Sequence, residues 1–363
     1  MDKRSPTRRL PVTLTSLRRA SGRTLVLKLK FAEGVDFAYR PGQFIGLEAQ
    51  DGRPRFFSIA NADSTGGELE LHVSRVPGGA FTGALFDRAQ VGDRFWIEGP
   101  YGNFFISPEA STRTIIVAGG TGFAPIKACL EGIARMRNGW DAARTLHFYW
   151  GARSLEDLYD LDAVRALVER LPGMRFTPVV DHGDGATRSG YVHRAVIEDF
   201  EDLSDYDIYA CGAPGMIEAL SRQCADERAF DPQRLIADPF VAGPVGADLM
   251  APSTGAPVHL FLDREVNPRA IAGVDGEALV TALNRSGVAL RAVCGGKGAC
   301  GTCLVRVAPS WRTRTGDPAR RETRLLQFVG AGDGDRLSCQ IRLSADLNGL
   351  ELHTLPQHQR RPE

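Results

Sequence analysis

The chain has 363 residues, 43% of them hydrophobic and 24% charged, which is the composition of a globular protein and lies outside that of disordered or fibrous chains. At roughly 100–200 residues per domain, that length predicts two or three domains. Its 44 basic and 44 acidic side chains cancel, so no overall positive field exists to hold nucleic acid or an anionic membrane.

The N-terminal stretch carries Lys3, Arg4, Arg8, Arg9, Arg18 and Arg19 but no apolar segment of signal-peptide length before a small-residue cleavage site. The best apolar run, Thr114 to Ile126, is broken by Gly119, Gly120 and Gly122 and falls short of the ~20 residues that span a bilayer. A cytoplasmic protein is expected. Of seven cysteines, Cys294, Cys300 and Cys303 lie within ten residues, which reads as a metal site in a reducing compartment rather than a disulfide framework.

After a basic tail at 1–9, residues 10–110 hold short runs of alternating apolar and polar positions: TLVLKLKF, QFIGLEA, ELELHVSRV and DRFWIEG. Period-two runs punctuated by Gly, Pro and Asp predict an antiparallel barrel or sandwich, and an antiparallel β-barrel is expected. Over 111–237 the rhythm becomes buried strand, amphipathic helix, buried strand, from TIIVAGG and PIKACLEGIARMRNG to DYDIYACGA and PGMIEALSRQCADER. That pattern predicts an α/β domain with a parallel sheet covered on both faces. Residues 238–256 are rich in Gly and Pro and read as a linker. A third domain spans 257–356, and 357–363 is a short tail.

In the third domain, five residues separate Cys294 from Cys300, two separate Cys300 from Cys303, and 35 separate Cys303 from Cys339. Four thiolates can hold a [2Fe–2S] cluster, two per iron, while Gly295, Gly296, Gly298 and Gly301 let the backbone wrap closely around it. The competing reading is a Cys₄ zinc site, which usually draws on two close pairs; here only Cys300 and Cys303 form one. The segment Val258–Pro356 resembles the [2Fe–2S] ferredoxin family, which implies an α+β, β-grasp domain and these four cysteines as ligands. The plant-type spacing has four residues where this chain has five. Cys129, Cys211 and Cys224 lie outside the domain.

The barrel contains YRPGQFIGL, RPRFFSIAN and SRVPGGAFTGAL. A dinucleotide flavin needs an aromatic face, a donor at its reactive ring nitrogen, and a cation with N–H groups for its pyrophosphate. These segments resemble the ferredoxin–NADP reductase superfamily, whose Arg-x-Tyr-Ser motif falls on Arg55, Phe57 and Ser58. The resemblance implies that Arg55 binds pyrophosphate, Phe57 stacks on the flavin, and Ser58 meets the ring nitrogen that accepts hydride. Phe57 keeps the stacking face of the usual tyrosine without its hydroxyl. Gly78, Gly79 and Thr82 match the family's pyrophosphate turn, and Thr82, which ends a turn like that of FAD-binding members, favours FAD over FMN.

In the second domain, TIIVAGG runs into TGFAPIKACL, so Gly119, Gly120, Thr121 and Gly122 fall between a strand and a helix, where phosphate meets N–H groups and the helix dipole. Gly-Thr-Gly-x-Ala-Pro, with Ala124 and Pro125, resembles the same superfamily. By that resemblance Arg153 in YWGARSLEDLY belongs to the adenosine-ribose loop. There it meets a 2′-phosphate or, as the favoured reading, pairs with Glu156 or Asp157 in an NADH enzyme. Cys211 and Gly212 match the motif beside the nicotinamide, with Ala213 in place of a proline, and Phe240 corresponds to an aromatic that shields the flavin.

The domain order is similar to that of reductase components of Rieske-type oxygenases, and FYWGARSLEDLYDL to deoxysugar-pathway reductases. Both imply NADH (or NADPH) as donor, FAD and a [2Fe–2S] cluster as carriers, and a separate acceptor protein such as a terminal oxygenase. Ser58 and Cys211 are the residues closest to the chemistry in this reading. A redox-sensing binding module and a zinc-stapled flavoprotein are the alternatives. The basic run Arg312, Arg314, Arg320, Arg321 and Arg324 is either an acceptor-docking patch or, as favoured, a solvated face.

Overall fold

The structure is a computed structural model and describes residues 9–48, 52, 54–62, 67–106, 113–136, 144–181, 187–240, 255–263, 268–288 and 290–355. Both expected tails, apart from Arg9, and most of the expected linker lie outside them. Two compact units are present, Met1–Pro100 with Phe104–Ala242, and Tyr101–Asn103 with Gly243–Glu363. Among the described residues no helix is long and apolar enough to cross a membrane.

The first unit opens with β1 (Leu10–Arg19), β2 (Thr24–Phe31), β3 (Phe44–Glu48), β4 (Pro54–Ser58), β5 (Glu68–Ser74), α1 (Ala80–Arg88) and β6 (Arg94–Tyr101). The strands order as β4-β3-β6-β1-β2-β5. The outer two are then brought together: Ile59 bridges Leu71, and the Ala60 N–H donates to the Glu70 carbonyl at 2.8 Å. The sheet thus closes on itself as a barrel, which removes exposed edges. Alternation sends Leu25, Leu27 and Leu29 of β2, with Leu69, Leu71 and Val73 of β5, into one core. Helix α1 departs from the all-strand expectation, because Phe81, Leu85 and Phe86 recur at helical spacing and bury one face.

There follow β7 (Arg113–Gly119), a 3₁₀ turn (Gly120–Gly122), α2 (Phe123–Ala134), β8 (Thr145–Ala152), α3 (Leu161–Arg170), β9 (Met174–Val180), β10 (Arg188–Ser189), α4 (Val192–Asp199), β11 (Asp207–Gly212), α5 (Pro214–Arg228) and β12 (Leu235–Pro239). The sheet is parallel in the order β10-β9-β8-β7-β11-β12. Its two faces build separate cores. Ile116, Phe148, Trp150 and Tyr209 pack with α2 and α3, while Ile115, Val117, Tyr149 and Ile208 pack with α4 and α5. The order reverses between β7 and β11, and ligands of open α/β sheets bind beyond the carboxyl ends at such a point.

The second unit contains β13 (Pro257–Leu262), β14 (Arg269–Val274), α6 (Leu279–Arg285), β15 (Leu304–Val307), α7 (Arg320–Phe328), β16 (Asp335–Leu337) and β17 (Leu350–Thr354). Its mixed sheet runs β14-β13-β17-β15-β16, with β13 parallel to β17 and the other pairs antiparallel. Helix α6 packs into the core of this β-grasp sheet, and Cys303 and Cys339 border the same core. The helix is shorter than the run GEALVTALNRSGVAL, and Gly287, at φ +77°, turns the chain just past its end.

Candidate functional site

The carboxyl ends of β7 and β11 approach so closely that only glycine fits. A Cβ on Gly122 would stand 2.1 Å from the Cys211 carbonyl oxygen, and one on Gly119 2.6 Å from Met216 Sδ. Gly212 has φ +146° and packs on the Gly119 backbone. No side chain caps the first turn of α2, and the Phe123 N–H turns back to the Gly120 and Thr121 carbonyls; a helix start without a side-chain cap is a place where an anion can meet N–H groups. Pro125 suits that turn, where the missing N–H has no helical partner to lose. The Gly120 carbonyl accepts from Trp150 Nε1 at 2.9 Å, and the Thr121 hydroxyl bonds the Ser74 hydroxyl of β5, also at 2.9 Å.

Cys211 is fully buried, with its thiol donating to the Asp238 carbonyl at 3.3 Å. The Phe240 N–H donates to the Gly212 carbonyl at 2.7 Å and holds that aromatic at the same strand ends. Arg153 is exposed, and its expected ion pair with Glu156 or Asp157 does not form. Asp157 accepts instead from the distant Ser21 at 3.3 Å and the neighbouring Ser154 at 3.4 Å, so two hydroxyls take the carboxylate. Tyr191, at the start of α4, is 67% exposed and stacked on His193 at 5.5 Å.

On β4, Ser58 is 7% exposed, and its hydroxyl has no protein partner among the described residues. Phe57 stacks on Phe81 of α1, with ring centroids 6.0 Å apart, and the Arg55 guanidinium lies 5.5 Å from the same ring. Gly78 turns at φ +69° just before α1, and a Cβ on Gly79 would meet Thr82 Oγ1 at 3.0 Å. Thr82 Oγ1 accepts the Val76 N–H at 3.1 Å and so closes this turn. The aromatic face, cation, hydroxyl and turn N–H groups are the donor set a flavin dinucleotide requires, and the residues fit it.

In the second unit the four thiols lie as two neighbouring pairs, Cys294 beside Cys300 and Cys303 beside Cys339. The Cys300 thiol draws Cys294 down to about 5 and is itself held well above its usual range. The second pair repeats this, with Cys339 low and Cys303 high. Donors point at sulfur: the Ala299 N–H to Cys294 at 3.5 Å, the Cys294 N–H to Cys300 at 3.4 Å, and Gln340 Nε2 to Cys339 at 3.3 Å. Gly295, Gly296, Gly298 and Gly301 all have positive φ, which this wrapping loop needs. Among the described residues no three metal-binding side chains converge on a single-ion site. Pairwise thiols suit two bridged irons, so the residues fit a [2Fe–2S] cluster.

Two bonds of this loop were not legible in its spacing. Thr302 Oγ1 meets Cys300 Sγ at 3.0 Å, and Gln340 Nε2 also donates to the Gly296 carbonyl at 2.9 Å. Of the basic run, Arg312 pairs with Asp333 and Arg314 lies 4.9 Å from the Trp311 ring, while Arg320, Arg321 and Arg324 sit on α7.

Residues 11–106 match the oxidoreductase FAD-binding domain, residues 116–222 the oxidoreductase NAD-binding domain, and residues 263–344 the 2Fe-2S iron-sulfur cluster binding domain. The chain is 35% identical over 212 residues to the CDP-6-deoxy-L-threo-D-glycero-4-hexulose-3-dehydrase reductase of Yersinia pseudotuberculosis, covering 58% of this chain and 62% of that protein. It is 35% identical over 241 residues to the aromatic O-demethylase reductase subunit of an Amycolatopsis strain, covering 65% of this chain and 70% of that one. Its fold is similar to an intact type IV self-sufficient cytochrome P450 monooxygenase, with TM-score 0.69 and 19% identity over 95% of this chain and 41% of that one. The chain belongs to the ferredoxin–NADP reductase superfamily of flavoproteins, in the form that carries a C-terminal [2Fe–2S] ferredoxin domain.

Proposed function

We propose that the protein is an NADH-dependent reductase that passes electrons through FAD to its [2Fe–2S] cluster and on to a separate acceptor, a Rieske-type or other terminal oxygenase. The observation that carries this reading is the Ser74–Thr121 bond, which joins the barrel bearing Ser58 directly to the phosphate turn of the parallel sheet. When bound, the nicotinamide supplies electrons in pairs, the cluster takes them singly, and the flavin exchanges both.

The chain's own residues bind and orient. Arg55 neutralises the flavin pyrophosphate beside the turn of Gly78, Gly79 and Thr82, Phe57 supplies a stacking face, and the Ser58 hydroxyl meets the reactive ring nitrogen. Gly120, Thr121 and Gly122, with Pro125 just inside α2, hold the dinucleotide phosphates on bare N–H groups. Arg153 would face the adenosine end. Cys211, its thiol fixed by the Asp238 carbonyl, and Gly212, bonded by the Phe240 N–H, would stand beside the nicotinamide, and Phe240 would cover the flavin. Cys294, Cys300, Cys303 and Cys339 hold the cluster.

Similarity to the hexulose-dehydrase reductase favours a second acceptor, a deoxysugar-pathway dehydratase. Anaerobic NADH titration of the holoprotein tests the main reading. Flavin and cluster absorbance are expected to bleach together, with about two irons and two sulfides per chain. Flavin bleaching with an unchanged cluster would refute onward transfer, and zinc in place of iron would refute the cluster. Mixing the reduced protein with a terminal oxygenase or a dehydratase then separates the two acceptors.

A further inference from the structure

Strand β5 alternates two chemistries. Leu69, Leu71 and Val73 enter the barrel core, while Glu70, His72 and Ser74 share the opposite face. Along that face His72 is buried, Glu70 half-buried and Ser74, at the strand end, exposed, and each of these three side chains bonds a residue from the nicotinamide half of the same compact unit. Ser74 meets Thr121 at 2.9 Å, His72 Nδ1 meets the Tyr159 hydroxyl at 2.8 Å, and Glu70 Oε1 meets Lys127 Nζ at 3.0 Å. His72 Nε2 lies 2.9 Å from Glu70 Oε1 and donates to it, leaving Nδ1 to accept from tyrosine.

Lys127 is the hub of this seam. It is 7% exposed, pairs with Glu131 Oε1 at 2.7 Å one helical turn on, and donates to the Ala60 carbonyl at 3.2 Å. Glu131 Oε2 in turn accepts the Ala62 N–H at 3.2 Å. Two side chains of α2 therefore grip Ala60 and Ala62, the segment that continues directly from Ser58. Lys127 also lies five residues beyond Gly122, about 7.5 Å along the axis of the helix that the phosphate turn opens. A short, stiff connection runs from the Ser58 strand through Lys127 to the dinucleotide turn. Burying an ammonium between two carboxylates is a poor route to stability compared with an apolar contact, and its gain is in fixing one arrangement.

We propose that Lys127 is a positioning residue for hydride transfer. It sets the nicotinamide half in register with the flavin strand, so that the nicotinamide carbon and the flavin ring nitrogen meet at reacting distance. Lys127 touches neither group and exchanges no proton or electron. The hydride leaves NADH, giving NAD⁺, and arrives whole on the flavin. The inference rests on the reductase reading above.

The test uses the full-length holoprotein with FAD and cluster loaded, reduced anaerobically by NADH in a stopped-flow instrument. Lys127→Met is expected to keep flavin, iron and NADH dissociation constant within about two-fold, while the first-order rate of flavin reduction falls about ten-fold or more. The long-wavelength charge-transfer band between nicotinamide and flavin is expected to weaken alongside, and Lys127→Arg to recover part of both. Glu131→Gln keeps the lysine and its Glu70 pair while loosening the Ala62 grip. It is expected to slow flavin reduction several-fold at normal flavin content, and it decides the matter if Lys127→Met does not fold. Wild-type rates and an unchanged charge-transfer band in the folded variants overturn the proposal. If NADH fails to reduce the wild-type flavin, the reductase reading itself falls, which is a different outcome from wild-type reduction with unaffected variants.

Discussion

Gly122 and the Cys211 carbonyl are in closest packing where the parallel sheet reverses order, with 2.1 Å between that oxygen and the place a Cβ on Gly122 would occupy. The turn proposed to receive phosphate and the strand end proposed to receive nicotinamide are thus held in one arrangement by the absence of a side chain. Gly122→Ala must push β7 and β11 apart, since backbone cannot rotate out of the way. The expected cost is about 1–3 kcal/mol of stability. KM for NADH should rise at least about ten-fold, as expected for a misplaced binding turn. Steady-state kinetics with ferricyanide as acceptor checks this, and an unchanged KM would contradict the tight packing.

The thiol pairs predict a separable loss of function. Cys303→Ser is expected to remove the cluster iron and abolish cytochrome c reduction, while NADH-driven ferricyanide reduction through the flavin persists within about two-fold. Iron analysis and the two assays on one preparation test it. Retained iron with a normal visible spectrum would show that the Cys303–Cys339 pair is not a ligand pair.

The seam on β5 makes the first unit sensitive to acid. Burial alone would raise the Glu70 carboxyl, but the hydrogen bond from His72 and the Lys127 charge outweigh it and hold Glu70 at about 2, below its ordinary 4.5. Burial also depresses His72 below 6.5. Both groups bind fewer protons folded than unfolded, so their contribution is complete above the unfolded values and fades as pH falls. His72 loses it on descending below 6.5, and Glu70 between 4.5 and about 2. Glu70→Gln is expected to lower the calorimetric midpoint at pH 7, with the gap from wild type closing as pH approaches 3. A constant gap would rule out an ionised Glu70 as its source.

Arg153 carries an exposed guanidinium that takes neither Glu156 nor Asp157. Arg153→Ala is expected to leave kcat/KM for NADH within about two-fold and to reduce any residual NADPH activity about ten-fold, the size of one charge-assisted phosphate contact. Comparing both donors in wild type and variant checks it. Equal losses for the two would place Arg153 away from the ribose.

The three folds were legible because burial imposed its own period on each. TLVLKLKF alternates, so it became a barrel strand, and the unbroken run TIIVAG needed both faces covered, so it became a central parallel strand. The cysteine loop was legible because iron ligation dictates spacing. The seam was not. In ELELHVS the outward Glu, His and Ser read as a solvated face, and nothing local says that α2 will lie against it. Lys127 and Glu131 likewise look like an ordinary i, i+4 surface pair. Arg153 failed for the same reason in reverse: its acidic neighbours were close in the chain, but Ser21, far away in sequence, claimed Asp157.

Because β5 lines the barrel with one face and grips α2 with the other, the flavin half and the nicotinamide half are not interchangeable modules. A chimera cut at the apparent domain boundary would set a foreign helix against Glu70, His72 and Ser74, stranding buried charge on both sides of the junction. Engineers who wish to graft a new coenzyme preference onto this scaffold must therefore transplant β5 and α2 as a matched couple, or leave both in place and rebuild only the outer rim.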